Sequence, residues 1–232
     1  MLHTRRRMLL KSNFIRFLSE LLGTFLLVIT GTGAIIINEE YNGILGNVGI
    51  SLAFGLIIMA AILLLGKISG AQINPAVSIG LLLSGKLSGK EALYFIAGQL
   101  LGACLASFIL WLIFPENQTL GATFPNAGTF NSFIIEFSIT AMLMLIILRI
   151  NIVFGANKFI FASIIGTTIG FLAFSAGPYT GASMNPARSI APALFSDDPT
   201  WIWLYTLAPV SGACFGVLCF HFIFRKNEQT TK

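Results

Sequence analysis

The sequence predicts an all-α membrane protein in which six transmembrane helices and two re-entrant half-helices form an inverted repeat. Hydrophobic residues make up 56% of the 232-residue chain and charged residues only 10%, whereas soluble domains carry about 25% charged residues. The apolar residues are gathered in six long runs, and a twelve-residue segment occurs twice between them. These three observations argue against a soluble globular domain and set the order of the elements.

Each apolar run has about the length of a membrane-spanning helix. A hydrocarbon core of about 30 Å requires roughly 20 apolar residues in helical conformation. The first run follows a basic segment but is too long for the core of a signal peptide, so it is interpreted as the first span. The predicted spans are Phe17–Ile37, Val48–Leu65, Ala92–Phe114, Phe130–Leu148, Phe159–Ala176 and Trp201–Phe224. Their even number puts both termini on one side of the membrane.

The distribution of cationic residues indicates which side that is. All but one of the 14 Lys and Arg residues fall in the two tails or in the connections after the second and fourth spans. The positive-inside rule assigns this side to the cytoplasm. We therefore predict a multi-pass protein of the plasma or inner cell membrane, with short cytoplasmic tails at both ends. Since this topology explains the net charge of +5, no nucleic-acid partner is predicted.

The repeated segment predicts two helices that begin inside the membrane. It reads SGAQINPAVSIG at 69–80 and TGASMNPARSIA at 180–191, with seven of the twelve positions identical. The two Asn-Pro-Ala boxes are formed by Asn74, Pro75 and Ala76 and by Asn185, Pro186 and Ala187. Asn is a favoured N-cap, and Pro is favoured at the first helical position because it has no N–H to leave unpaired. Each helix has roughly ten residues, or ~15 Å, which is half of the hydrocarbon core.

The repeat extends beyond the boxes and implies two halves of opposite orientation. Glu20 in the first span has a counterpart in Glu136 of the fourth. The halves, approximately 12–114 and 129–226, each contain three spans within one domain of residues 1–232. Because three is odd, the two half-helices enter from opposite sides and can meet near the midplane. Inverted repeats with discontinuous helices build a pathway at the repeat interface.

Two half-helix N-termini at the midplane have a defined electrostatic consequence. Each carries about +0.5 elementary charge, so the pair repels a cation or proton. The Asn amides offer donors to a passing oxygen atom. Non-helical backbone, expected at 68–73 and 177–184, is tolerated at this depth only when it is buried in protein or lines a water-filled path. Its carbonyl groups then become acceptors for small polar molecules, and the pattern predicts a narrow conduit for neutral solutes.

At this point the sequence closely resembles the aquaporin, or major intrinsic protein, family. The resemblance rests on the stretch Glu20–Phe25 (ELLGTF), both Asn-Pro-Ala boxes, Arg188 and the six-span layout. It implies an hourglass bundle, assembled as a homotetramer with one pore per subunit, that passes water and small uncharged solutes and excludes ions and protons. Pore diameter, lining hydrogen-bond groups, an Arg and half-helix dipoles set selectivity in such pores. The resemblance implies no cofactor and no metal.

The family's selectivity filter corresponds here to Phe54, Ala173, Ala182 and Arg188. Water-selective members carry a His at the position of Ala173, and glycerol facilitators usually set two aromatic residues against the Arg. With two alanines and one aromatic residue, this chain matches neither extreme, and a wider ring than in strict water channels is expected. The segment 177–189 is similar to the nodulin-26-like branch, whose members pass water, glycerol and uncharged metalloid acids. The alternative is a glycerol or metalloid-acid facilitator with little role in water flow.

Several other residues carry competing interpretations. Glu20 and Glu136 resemble the family's buried glutamates, which hold the half-helix loops through backbone N–H groups. They are also the only acids available to a coupled secondary transporter, the main rival class; a structural junction protein is a weaker one. An enzyme is not predicted, because the sequence offers no nucleophile–base pair and no metal-ligand spacing. The cysteines lie in apolar spans and are interpreted as buried thiols: Cys104, Cys214 and Cys219.

Overall fold

The computed structural model describes the backbone of residues 2–224 and the side chains of residues 13–224. Within this range six helices are long and apolar enough to cross a membrane, and two short helices lie between them. The helices are α1 (Leu2–Glu40), α2 (Gly46–Leu65), α3 (Pro75–Leu83), α4 (Gly89–Ile113), α5 (Thr129–Phe154), α6 (Lys158–Thr180), α7 (Pro186–Phe195) and α8 (Ile202–Phe224). The predicted fold class is confirmed. The tail cations Arg225, Lys226 and Lys232 lie outside the described residues.

The two short helices α3 and α7 begin at the Asn-Pro-Ala boxes, as predicted. They have nine and ten residues, and both start with Pro at the first helical position. The Oδ1 atom of Asn74 accepts the N–H of Ala76 at 2.9 Å, and that of Asn185 accepts the N–H of Ala187 at 3.0 Å. Each box therefore satisfies its own helix start, a requirement that is strict where water is scarce.

The long helices pack in pairs that correspond between the two halves. The most extensive contacts join α1 to α4, α5 to α8 and α2 to α6. Gly55 and Gly166 face each other: a Cβ atom on Gly55 would lie 2.8 Å from the carbonyl oxygen of Gly166, and the reverse distance is 2.7 Å. Gly102 packs in the same way on the backbone of α1, and Gly212 on the backbone of α5. Small residues thus allow the backbone contact that holds membrane helices together.

The second non-helical stretch is shorter than predicted. Residues 177–180 belong to α6, so the expectation of non-helical backbone over 177–184 is wrong for its first half. Pro178 lacks an N–H and leaves the carbonyl oxygen of Phe174 free within the helix, but the side-chain amide of Asn47 on α2 donates to that oxygen at 2.7 Å. The helix ends instead at Gly181, whose φ of 75° is the left-handed conformation that closes many helices.

Candidate functional site

The N-termini of α3 and α7 are joined at a buried junction. The Nδ2 atom of Asn74 donates to the carbonyl oxygen of Met184 at 2.8 Å, and Nδ2 of Asn185 donates to that of Ile73 at 2.8 Å. Each Asn therefore caps its own helix with its oxygen and ties down the opposite loop with one of its two amide hydrogens. Both side chains are about 95% buried, and both line the same cavity. The second amide hydrogen of each remains available to a solute there.

The loops that precede the half-helices have the same unusual backbone conformation. Ala71 and Ile73 have φ values of 48° and 43°, and the matching Ala182 and Met184 have 43° and 53°. A left-handed conformation costs an L-residue about 1–2 kcal/mol, and a β-branched residue such as Ile73 is a marked outlier. Such strain persists only where the surroundings enforce it. Its recurrence at equivalent positions indicates that both loops are held in one required shape.

Glu20 supplies part of that enforcement for the first loop. Its side chain is fully buried. Its carboxylate accepts the backbone N–H groups of Gln72 at 3.0 Å and Ile73 at 2.7 Å. The hydroxyl of Ser69 donates to it at 2.6 Å, and Nε2 of Gln99 donates at 2.7 Å. Four donors thus satisfy the carboxylate, as a buried charge requires.

Glu136 has the equivalent place beside the second loop. Its carboxylate accepts the backbone N–H groups of Ser183 and Met184, both at 2.9 Å, and the hydroxyl of Thr180 at 2.8 Å. This side chain is also fully buried. Neither Glu136 nor Glu20 is among the residues that line the cavity. The position of the two carboxylates therefore suits loop support better than proton handling along a path.

A serine four residues after each box Asn ties the half-helix to its loop. The hydroxyl of Ser78 donates to Oε1 of Gln72 at 2.6 Å, and the hydroxyls of Ser183 and Ser189 are 2.5 Å apart. Gln99 also donates to the hydroxyl of Ser78 at 3.0 Å. The recurrence of Ser at the same place in both copies is the sequence signal for these contacts, but their partners cannot be inferred from it.

Arg188 lies in the first turn of α7 and is 1% exposed. Its Nη1 atom donates to the carbonyl oxygen of Gly121 at 2.9 Å, and its guanidinium carbon lies 5.2 Å from the centre of the Phe54 ring. Its Nε and Nη2 atoms have no hydrogen-bond partner among the described residues. Arg188 nevertheless lines the cavity, so its charge acts on a solute that enters it. A cation at this depth is costly unless it faces such a cavity.

The connection between α4 and α5 provides the carbonyl group that fixes Arg188. Gly121 lies between two anchors of this connection. The hydroxyl of Thr119 donates to the carboxylate of Glu39 at 2.6 Å, and the hydroxyl of Thr123 donates to that of Ser189 at 2.9 Å. The arginine is thus oriented by a segment far from it in sequence, which no local pattern predicts.

The cavity, called the central cavity below, has a volume of about 230 Å³ and brings six of the predicted site residues together. Both box asparagines and the four filter positions Phe54, Ala173, Ala182 and Arg188 line it. At the opposite end it is lined by Lys86 and Asn151. The rest of its wall is mainly apolar and includes Leu27, Ile58, Ile62, Val77, Leu81, Leu143, Ile147, Leu148, Ile165 and Ile169.

The lining explains what the central cavity can accommodate. The two strained loops line it beside the aliphatic wall, so polar backbone atoms and box amides lie opposite apolar side chains. No acidic side chain of the described residues lines it, and its two charged groups, Lys86 and Arg188, are both cationic. Among the described residues no cluster of potential metal ligands occurs. The arrangement suits small neutral molecules that exchange hydrogen bonds and disfavours cations.

Comparison with known proteins agrees with this geometry. Residues 8–220 match the sequence model of the family described as Major intrinsic protein. The chain is 36% identical to aquaporin NIP1-1 of Zea mays, over 92% of this chain and 76% of that protein. It is 35% identical to Nodulin-26 of Glycine max, over 94% and 82%. The X-ray structure of the aquaglyceroporin from Plasmodium falciparum is similar with a TM-score of 0.83 and 25% identity, covering 95% of this chain and all of that one. The predicted resemblance is confirmed: the chain belongs to the major intrinsic protein family.

Proposed function

We propose that the central cavity is the path through which this chain passively conducts water and small uncharged solutes such as glycerol. Membership in the family, and similarity both to aquaporins and to an aquaglyceroporin, make the protein a membrane channel and not an enzyme. The observation that carries the assignment to this cavity is the paired junction of Asn74 and Asn185, which opens on the same space as Phe54 and Arg188.

The roles of the site residues follow from their charges and contacts. The N-termini of α3 and α7, capped by Asn74 and Asn185, each contribute about +0.5 elementary charge at the junction and repel a cation or proton there. Arg188 adds a full charge at the filter. Glu20 and Glu136 maintain the strained loops and take no part in conduction. This division of roles supports exclusion of ions by fixed positive charge together with passage of neutral solutes.

The ring at the filter supports a solute range wider than water alone. Phe54 is its single aromatic side chain, and Ala173 and Ala182 leave the remaining side open. The second candidate is a facilitator of glycerol or uncharged metalloid acids with little water flow, which the same two alanines and the likeness to Nodulin-26 favour. The two candidates differ in the ratio of water to solute permeability.

Stopped-flow light scattering on proteoliposomes distinguishes these candidates. Water, glycerol, urea and a metalloid acid are tested in parallel against protein-free vesicles. The proposed channel passes water and at least one of the larger solutes; solute flux without added water flow would favour the second candidate. Flux that depends on an imposed proton or sodium gradient would indicate a coupled transporter. Vesicles that swell no faster than protein-free ones would overturn the proposed function.

The orientation follows from the charges near the half-helices. We place the connections that contain Lys67, Lys86 and Lys90 in the cytoplasm, and with them both termini. On this assignment α3 enters from the cytoplasm and α7 from outside, within a cell membrane. A homotetramer with one path per subunit is the proposed assembly, and the repeats of approximately 12–114 and 129–226 are the proposed organisation of the single domain, residues 1–232.

The width of the filter can be tested by Ala173→His. A bulkier ring side chain at this position narrows the opening, so glycerol flux is expected to fall about tenfold, equivalent to ~1.4 kcal/mol, while water flux falls less. Parallel swelling assays with and without glycerol provide the ratio. Ala173→Ser is the matched control, because it adds polarity without bulk. An equal loss of both fluxes in the His variant would contradict the wide-ring interpretation.

Sensitivity to mercurials tests the place of Ala182 in the path. The three cysteines Cys104, Cys214 and Cys219 are partly exposed on the protein surface and not buried within it as predicted, and none lines the central cavity. Mercurials are therefore expected to leave water flux through the natural protein unchanged. In the Ala182→Cys variant they should inhibit water flux, and an added thiol reagent should reverse that inhibition. Strong block of the natural protein would show that another thiol controls the path.

A further inference from the structure

We propose that Lys86 is a second specificity-determining residue, which forms an electrostatic barrier to cations at the end of the path opposite the filter. This proposal rests on the proposed function, since it assumes that the central cavity conducts. It assigns cation exclusion to two separated charges, Arg188 at one end and Lys86 at the other, in addition to the half-helix N-termini between them.

Lys86 lies at a defined mouth of the central cavity. The neighbouring lining residues Leu148 and Asn151 belong to the last turns of α5, and Phe161 belongs to the first turn of α6. These helix ends are adjacent in sequence and lie on the same side as the end of α3. Of the described side chains that line this half of the cavity, Lys86 alone is charged.

The backbone at the end of α3 fixes the position of Lys86. The N–H of Gly85 donates to the carbonyl oxygen of Leu82 at 3.0 Å, and the N–H of Lys86 donates to that of Leu81 at 2.9 Å. With a φ of 73° at Gly85, this is a Schellman closure, which satisfies the last carbonyl groups of the helix. Lys86 is therefore held one residue beyond the glycine that ends the half-helix.

This position has an electrostatic reason. The C-terminus of a helix carries about −0.5 elementary charge, and the end of α3 turns this charge toward the mouth. Without compensation it would attract cations from solution into the path. The full positive charge of the Lys86 ammonium group exceeds the partial negative charge of the helix end and makes the mouth net positive.

The charge of Lys86 is not cancelled by an acidic partner. The one ion pair formed by the described residues joins Arg16 to Glu91. Glu91 also accepts the hydroxyl of Ser88 at 2.6 Å, so this nearby carboxylate is held by other groups. Lys86 itself is exposed and remains available to repel a cation that approaches the mouth.

The other half-helix ends differently. Beyond α7 the chain continues with Asp197 and Asp198, which add negative charge near a helix end that is already negative. Cations are therefore attracted on that side and must be stopped by Arg188. The two ends of the path thus reject cations by different means: a barrier at the mouth on the Lys86 side, and a barrier within the filter on the other.

The test measures cation leak in channels from which the filter charge has been removed. Proteoliposomes contain the full chain with Arg188→Val alone, or with Arg188→Val combined with Lys86→Gln, Lys86→Glu, Lys86→Arg or Lys90→Gln. Potassium influx is measured and divided by the water permeability of the same vesicles. This ratio corrects the leak for differences between variants in the amount of folded, conducting protein. Lys90 is the matched control, because it is an exposed cation on the same connection that does not line the cavity.

We expect Lys86→Gln to raise the leak about threefold to tenfold in 0.1 M salt, and Lys86→Glu to raise it further, because a unit charge within a Debye length of an ion changes its energy by this order. Lys86→Arg and Lys90→Gln should match Arg188→Val alone, and the increments should shrink in 1 M salt. Equal leaks with and without Lys86, whether large or at the level of protein-free vesicles, would overturn the proposal. Absence of water permeability in the natural protein would instead overturn the proposed function.

Discussion

Replacing Glu136 with Leu is expected to abolish the folded, conducting channel. Leu fills a similar space but accepts no hydrogen bond, so the backbone N–H groups of Ser183 and Met184 lose their acceptor. A buried polar group left unpaired costs about 1–3 kcal/mol, and two such groups cost roughly 2–6 kcal/mol. The loop would also lose the anchor that offsets the left-handed backbone of Ala182 and Met184. The sum reaches the lower end of the range of about 5–15 kcal/mol by which native domains are stable.

The loss of folded channel can be measured by the yield of protein recovered from the membrane fraction, by the thermal unfolding midpoint in detergent and by the water permeability per incorporated protein. Glu136→Gln is the informative second variant, because it keeps one acceptor oxygen and should give an intermediate unfolding midpoint. Glu116→Gln is the matched control, since Glu116 lies in an exposed connection. A Leu variant with the yield and permeability of the natural protein would show that the loop keeps its shape without the carboxylate.

The same loops show which parts of the site could be predicted from the sequence. Asn and Pro determine a helix start by rules that act within four residues, so both half-helices could be located to within a residue. Because the Asn-Pro-Ala segment occurs in both halves of the chain, a half-helix predicted in one half supported the prediction of the equivalent half-helix in the other. The filter positions follow from fixed offsets within the repeat and from the family resemblance, and all four do line the central cavity.

The contacts that could not be predicted from the sequence join residues that are far apart along the chain. The side-chain amide of Gln99 donates hydrogen bonds to both Glu20 and Ser78. The carbonyl oxygen that accepts a hydrogen bond from the Arg188 side chain belongs to Gly121, sixty-seven positions earlier. The continuation of α6 through Pro178 depends on an amide from α2. The aliphatic lining was equally inaccessible, because every face of a membrane-spanning helix is apolar and periodicity then carries no information on which face meets the path.

Replacing Arg188 with Val is expected to admit cations while leaving the half-helices in place. A unit charge about 6 Å from an ion contributes roughly 3 kcal/mol at an effective dielectric constant of 20, so its loss corresponds to about a hundredfold rise in cation entry at the filter. Val also gives up the position over the Phe54 ring and the hydrogen bond to Gly121. The ring then widens, and glycerol flux should rise relative to water flux.

Arg188→Lys separates the two contributions of the arginine. Lys keeps the charge but lacks the planar set of five donors, so it should still exclude cations while losing part of the solute selectivity. Potassium and proton flux under an imposed membrane potential, measured beside glycerol swelling, resolve both effects. Both leaks should remain limited in the Val variant, because the positive N-termini joined by Asn74 and Asn185 still repel a cation or proton at the junction. If the Val variant excluded potassium as well as the natural protein does, the junction and Lys86 would be sufficient for exclusion, and the filter charge would serve only to orient solutes.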